Sequence, residues 1–110
     1  MKKTERRELP RALIDAIVAE ELFQGIQSAR SIDICELGMR YEKPLDGLRH
    51  DHHEVFLHFN LPGEDDEPIR VLGHVANETR CRQRHTTSVT FAFMKAEDQE
   101  RVRRYVSKAA

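Results

Sequence analysis

The sequence predicts a mainly β domain: an antiparallel meander curled into a barrel or a sandwich, followed by a C-terminal helix. Three observations carry this expectation. Apolar and other residues alternate along several separate stretches, the period of half-buried strands. Turn-forming residues divide those stretches. The spacing then changes to a helical one near the C-terminus. A chain of 110 residues is one domain, and it can bury a modest core without staples.

The elements follow in order. Residues 1–11, MKKTERRELPR, carry five basic and two acidic side chains and almost nothing apolar. They predict a flexible basic arm ahead of a domain spanning 12–110. Pro10 excludes a helix interior there and pushes Leu9 towards an extended conformation. In 12–23, Leu13, Ile14, Ile17, Val18 and Leu22 fit a helical face about as well as a strand. Periodicity taken by itself predicts a helix. Gln24-Gly25 forms a turn into a strand through Ile26, Ile32 and Ile34.

The middle of the chain is plainer. Val55, Leu57, Phe59 and Leu61 alternate with Phe56, His58 and Asn60, a half-buried strand. Pro62 to Pro68 is a solvated turn, and Ile69, Val71 and Val75 alternate on the strand that returns. Gly73 between them marks a bulge or a tight bend. Val89, Phe91 and Phe93 alternate with Thr90, Ala92 and Met94. From about Ala96, Val102, Tyr105, Val106 and Ala109 take helical spacing. Glu97, Asp98 and Glu100 open that helix and Arg101, Arg103, Arg104 and Lys108 end it, an order that complements the helix dipole.

Composition excludes several classes. The formal net charge is -1, so no global charge draws the chain to nucleic acid or an anionic membrane. Single-stranded nucleic acid sites need aromatic platforms beside basic grooves, and aromatics are 6% of the chain with no Trp. No apolar run approaches the length of a membrane span. The N-terminus lacks the apolar segment of a secretory leader, so the expected setting is the cytoplasm, with Cys35 and Cys81 as free thiols. No serine, cysteine or metal-dependent catalytic pattern is present, and neither enzymatic activity nor a cofactor is expected. His50-Asp51-His52-His53 holds suitable metal ligands, but closely spaced ligands in one loop rarely complete a site. Arg80 to His85 reads as a basic hairpin tip.

Two clusters carry binding chemistry. Arg7 and Arg11 lie four apart on the arm, with Arg6 directly before them. Guanidinium donates paired hydrogen bonds suited to phosphate and to the O6/N7 edge of guanine. Taken alone, such a pair is also the pattern of a solvated tail. The second cluster is Asp33-Ile34-Cys35-Glu36-Leu37-Gly38, which follows a strand and predicts a tight turn with an exposed carboxylate. That carboxylate suits the N1–H and N2–H donors of guanine. It also suits an ordinary Asx turn.

Together the clusters resemble the two-part signature of PilZ domains, Arg-x-x-x-Arg followed by (Asp/Asn)-x-Ser-x-x-Gly. Arg7 and Arg11 precede Asp33-x-Cys35-x-x-Gly38, with Cys35 where the family usually has Ser. The resemblance extends along the chain. Met39 fits the apolar residue after the glycine. Asn60-Leu61-Pro62 is similar to the family's Leu-Pro strand, Gly73-His74-Val75 to its Gly-x-Val strand, and Ser88-Val89-Thr90-Phe91 to its closing strand, with Ser88 where Gly is common.

The resemblance implies a six- to seven-stranded antiparallel β-barrel with a C-terminal α-helix, and a first barrel strand in place of the helix over 12–23. It implies a receptor for cyclic di-GMP whose ligand orders the arm against the barrel and so signals to a partner protein. Arg7 and Arg11 would clamp guanine and phosphate, Asp33 would read a guanine edge, and Gly38 would permit the turn. Arg6 before the motif goes, in the family, with binding of cyclic di-GMP as an intercalated dimer. The alternative is a PilZ-like protein-interaction module that does not bind the nucleotide.

Overall fold

The segment over 12–22 is extended, as the resemblance implies and against the helical periodicity. In the computed structural model, which describes residues 10–22, 25–44, 53–64, 67–82 and 84–109, it forms β1 (Ala12–Leu13) and β2 (Ile17–Leu22). A two-residue alternation is present: Ala12, Ile14, Val18 and Glu20 are buried, whereas Leu13 and Ile17 are 80% and 61% exposed. It is hidden from a hydrophobicity reading because the inward set contains a glutamate and an alanine and the outward set contains two large aliphatics. Ser31 bridges the break between these strands. Its hydroxyl accepts from the Ala16 N–H at 2.8 Å and donates to the Ile14 carbonyl at 2.7 Å.

The chain continues through β3 (Gly25–Cys35), β4 (Gly38–Pro44), β5 (Glu54–Phe59), β6 (Ile69–Cys81) and β7 (Arg84–Met94) to α1 (Ala96–Ala109). All pairings are antiparallel. Neighbours run β3-β2-β5-β6-β7-β4, and β4 pairs back onto β3. Six strands therefore close a barrel, and β1 adds a short strand to β3. Closure leaves the six barrel strands without the unpaired edges that an open sheet exposes.

Ile34, Met39, Leu57, Phe59, Ile69 and Val71 are among the side chains that fill the barrel. One layer of the interior is polar. The Lys43 ammonium lies 2.5 Å from Glu20 Oε1, and the Tyr41 hydroxyl donates to Glu20 Oε2 at 2.5 Å. Both side chains of the ion pair are wholly buried. Burial, reinforced by the charge of Glu20, pushes the Tyr41 phenol far above its ordinary pKa, so it remains a neutral donor.

Bulges break the register between Ser31 and Asp33 in the β3–β4 pair, and at Leu72/Gly73 and Val75/Asn77 in the β6–β7 pair. Gly73, expected at a bulge or bend, stands at the first of the latter two. Phe91 lies opposite Gly73 and Phe93 opposite Leu72, so Ala92 is the extra residue. This corrects the simple alternation expected along β7. An extra residue exchanges the two faces, so Phe93 is 67% exposed and Met94 takes the buried place.

The helix forms where expected and buries Val102 and Val106. Arg101 ties it to the β5–β6 connection through Glu64 at 2.7 Å and the Glu67 carbonyl at 3.0 Å. Tyr105 donates to the Leu13 carbonyl at 2.9 Å and so ties the helix to β1. The Arg80–His85 segment lies where β6 meets β7, and Arg82 takes a left-handed backbone (φ 57) there. Among the described residues, no helix is long and apolar enough to cross a membrane.

Candidate ligand site

The site is built on the β3–β4 hairpin. A two-residue turn, Glu36-Leu37, places Cys35 opposite Gly38, Ile34 opposite Met39 and Asp33 opposite Arg40. Ala29 and Ser31 on β3 are buried. Strict alternation from them would also send Asp33 into the barrel. The bulge after Ser31 instead gives Ile34 the inward place, where it is fully buried with Met39, and brings Asp33 to the partly exposed Arg40.

Asp33 is therefore neither in the turn nor exposed, which corrects the expectation from sequence. Its residue exposure is 6%, because two arginines cover it. Arg11 Nη1 donates to Oδ1 at 2.8 Å. Arg40 Nη2 donates to Oδ2 at 2.5 Å, with Arg40 Nε 3.2 and 3.1 Å from the two oxygens. The hydrogen bonds that Arg40 donates to Asp33, together with the carboxylate's charge, raise the Arg40 pKa against the effect of burial. An Asx turn has no place in this geometry, since the carboxylate is engaged by guanidinium groups from β4 and from the arm.

Gly38 has a reason other than the turn. Among the described residues, the positive-φ glycines are Gly25 and Gly63, and Gly38 is not one of them. A Cβ at Gly38 would fall on the Val89 carbonyl oxygen of β7, well inside contact distance. The glycine is needed because two backbones approach closely, as the Phe91 N–H reaches back to the Leu37 carbonyl at 2.7 Å. Beside this contact lies a cavity of about 270 Å³ lined by Arg11, Cys35, Leu37, Gly38, Met39, Ala76, Ser88, Val89 and Thr90. The Cys35 thiol is free and buried at its edge.

The fold thus gathers Arg11, Asp33, Cys35 and Gly38 at one place, distant in sequence though they are. Arg6 and Arg7 lie outside the described residues. Arg40 is the residue that motif reading missed. Counting back from a two-residue hairpin turn would have found it opposite Asp33. A wider groove of about 560 Å³, lined by residues including Glu21, Phe56, Arg70 and Leu72, holds none of the predicted residues. Of the His50–His53 run, His50, Asp51 and His52 lie outside the described residues. Among the described residues, no group of three His, Cys, Asp or Glu could hold a metal ion.

No protein-family model matches the sequence. No curated protein matches it either. Solved structures do match the fold. The inhibitor of motility MotI/DgrA of Bacillus subtilis superposes with a TM-score of 0.80 at 17% identity, over 94% of this chain and 50% of that one. The PilZ domain of YcgR from Escherichia coli, solved with c-di-GMP, superposes with a TM-score of 0.72 at 12% identity, over 94% of this chain and 91% of that one. The fold is a PilZ fold. The chain spans about half the length of the MotI/DgrA structure and nearly all of the YcgR domain. Within this PilZ fold, the β3–β4 hairpin and the residue entering β1 carry the clustered arginines and the carboxylate.

Proposed function

We propose that this chain is a cytoplasmic cyclic di-GMP receptor without catalytic activity. The observation that carries the reading is the grouping of Arg11, Asp33 and Arg40 beside a cavity edged by Cys35 and Gly38. Guanidinium groups match phosphate oxygens and the O6/N7 edge of guanine, while a carboxylate matches its N1–H and N2–H donors. The PilZ fold supports the reading, since the YcgR domain was solved with c-di-GMP. Arg6 and Arg7 complete the clamp from the arm, two nucleotides bind as an intercalated dimer, and the ordered arm presents a new surface to a downstream protein. Ordering the arm costs conformational entropy, which moderates affinity and lets the ligand act as a switch.

Calorimetric titration tests this directly. The parent protein binds cyclic di-GMP and does not bind a short single-stranded oligonucleotide. Arg7→Ala and Arg11→Ala each weaken binding by more than about 1.5 kcal/mol, the scale of a hydrogen bond to a charged group. A variant that binds like the parent removes that arginine from the site.

A second reading has its own observation. The higher of the two superpositions is with an inhibitor of motility, a role that points to a protein-interaction module; in this second reading the chain does not bind the nucleotide. Absence of cyclic di-GMP binding by the parent protein selects this reading.

A further inference from the structure

A carboxylate offers roughly four lone-pair sites, two on each oxygen. In Asp33, Arg40 spans both oxygens and Arg11 adds a second donor to Oδ1. Arg40 Nε is shared with Oδ2 as well, so three N–H donors take about three of the four sites and leave about one free. A guanine edge needs one site on each oxygen, because its N1–H and N2–H donors lie side by side. One guanidinium has to leave before Asp33 can read guanine.

The two arginines are not equivalent. Arg40 uses a two-pronged contact and stands on β4, which is paired to β3 on one edge and β7 on the other. Arg11 contributes one hydrogen bond, precedes β1, and is itself part of the cavity lining. Its departure frees a site on Oδ1 and makes a guanidinium available for phosphate. Departure of Arg40 would instead strip the carboxylate of its bidentate partner and leave it to rotate.

We propose that Arg40 is a positioning residue of this site: it stays on Asp33 when Arg11 is displaced and holds both carboxylate oxygens towards the donor edge of guanine. The inference rests on the cyclic di-GMP reading and goes beyond it by assigning the source of guanine selectivity. Arg11 covers, in the free protein, the acceptor that the base uses, and its contacts with the ligand outweigh the one it gives up. Ligand entry exchanges an arginine–carboxylate contact for a base–carboxylate contact and an arginine–phosphate contact.

The test compares cyclic di-GMP with cyclic di-IMP, which lacks the 2-amino donors, on the parent protein, Arg40→Gln and Arg40→Lys, with thermal melts of all three. The parent prefers cyclic di-GMP. Arg40→Gln, folded, binds cyclic di-GMP about tenfold more weakly, the scale of one charge-assisted hydrogen bond, and loses most of the preference. Arg40→Lys falls between, since an ammonium keeps the charge but not the fork. Parent-like affinity and preference in Arg40→Gln would overturn the proposal and leave the receptor reading standing. So would an equal loss for both ligands, which is the signature of a charge acting on phosphate. If Arg40→Gln does not fold, Arg40→Lys decides by the same two criteria. A parent that binds neither dinucleotide overturns the receptor reading and this proposal together.

Discussion

At Gly38 the need for glycine comes from a carbonyl oxygen on another strand. A methyl group there would overlap the Val89 oxygen, and the neighbouring backbone is fixed by the β4–β7 pairing. Overpacking against backbone costs roughly 1–3 kcal/mol, occasionally more. Gly38→Ala is expected to lower the melting temperature by several degrees in a thermal unfolding experiment; a parent-like melt would show that the hairpin shifts freely. The sequence identified Gly38 through its motif but assigned it to the turn, because a contact between strands far apart in sequence leaves no local mark. Asp33 shows the same division. Its identity as a candidate was readable from the chain, whereas its burial depends on the bulge after Ser31 and on Arg40, which only register reveals. Cys35 is buried and lines the cavity.

At the scale of elements, β2 and β4 are joined by more than their shared neighbour β3. Glu20 reaches Lys43 and Tyr41 in the barrel interior. Removing the ammonium leaves a buried carboxylate deprived of its counter-charge, a change that costs about 3–5 kcal/mol. Lys43→Met is therefore expected to be strongly destabilised in urea unfolding, and adding Glu20→Gln to it restores part of the loss. An unchanged midpoint in Lys43→Met would contradict a structural role for the pair. This layer also explains why β1 and β2 were obscure in the sequence. An inward glutamate with outward Leu13 and Ile17 defeats a reading that equates apolar with buried. β5 had no such complication and was plain. The terminal helix was equally plain, but its role as a brace was not. Tyr105 holds the Leu13 carbonyl, two residues from Arg11, so α1 supports the point where the arm joins the barrel.

At the scale of the molecule, a closed barrel supplies the surface on which Arg11, just ahead of β1, meets Asp33. The overall architecture was readable from strand alternation, the helical end and the resemblance between motifs; closure of β4 onto β3 was not, since pairing of strands is a long-range property. In the proposed receptor, the arm sets ligand stoichiometry. A third guanidinium at Arg6 adds charge and a planar face that can stack on a base. The parent protein is expected to take up two cyclic di-GMP molecules per chain at saturation, and Arg6→Leu to approach one while still binding. A parent stoichiometry of one, read by calorimetry, would remove the dimer and leave the receptor.

A two-dimensional amide NMR titration of the parent protein with cyclic di-GMP tests the proposed receptor site most directly. The perturbed amides are expected to cluster at Arg11, Asp33, Cys35, Gly38 and Arg40 and at Ser88 and Thr90 across the cavity, together with residues 1–10. Saturating cyclic di-GMP that left these amides unmoved, or that moved only the groove at Phe56 and Leu72, would contradict the proposed site.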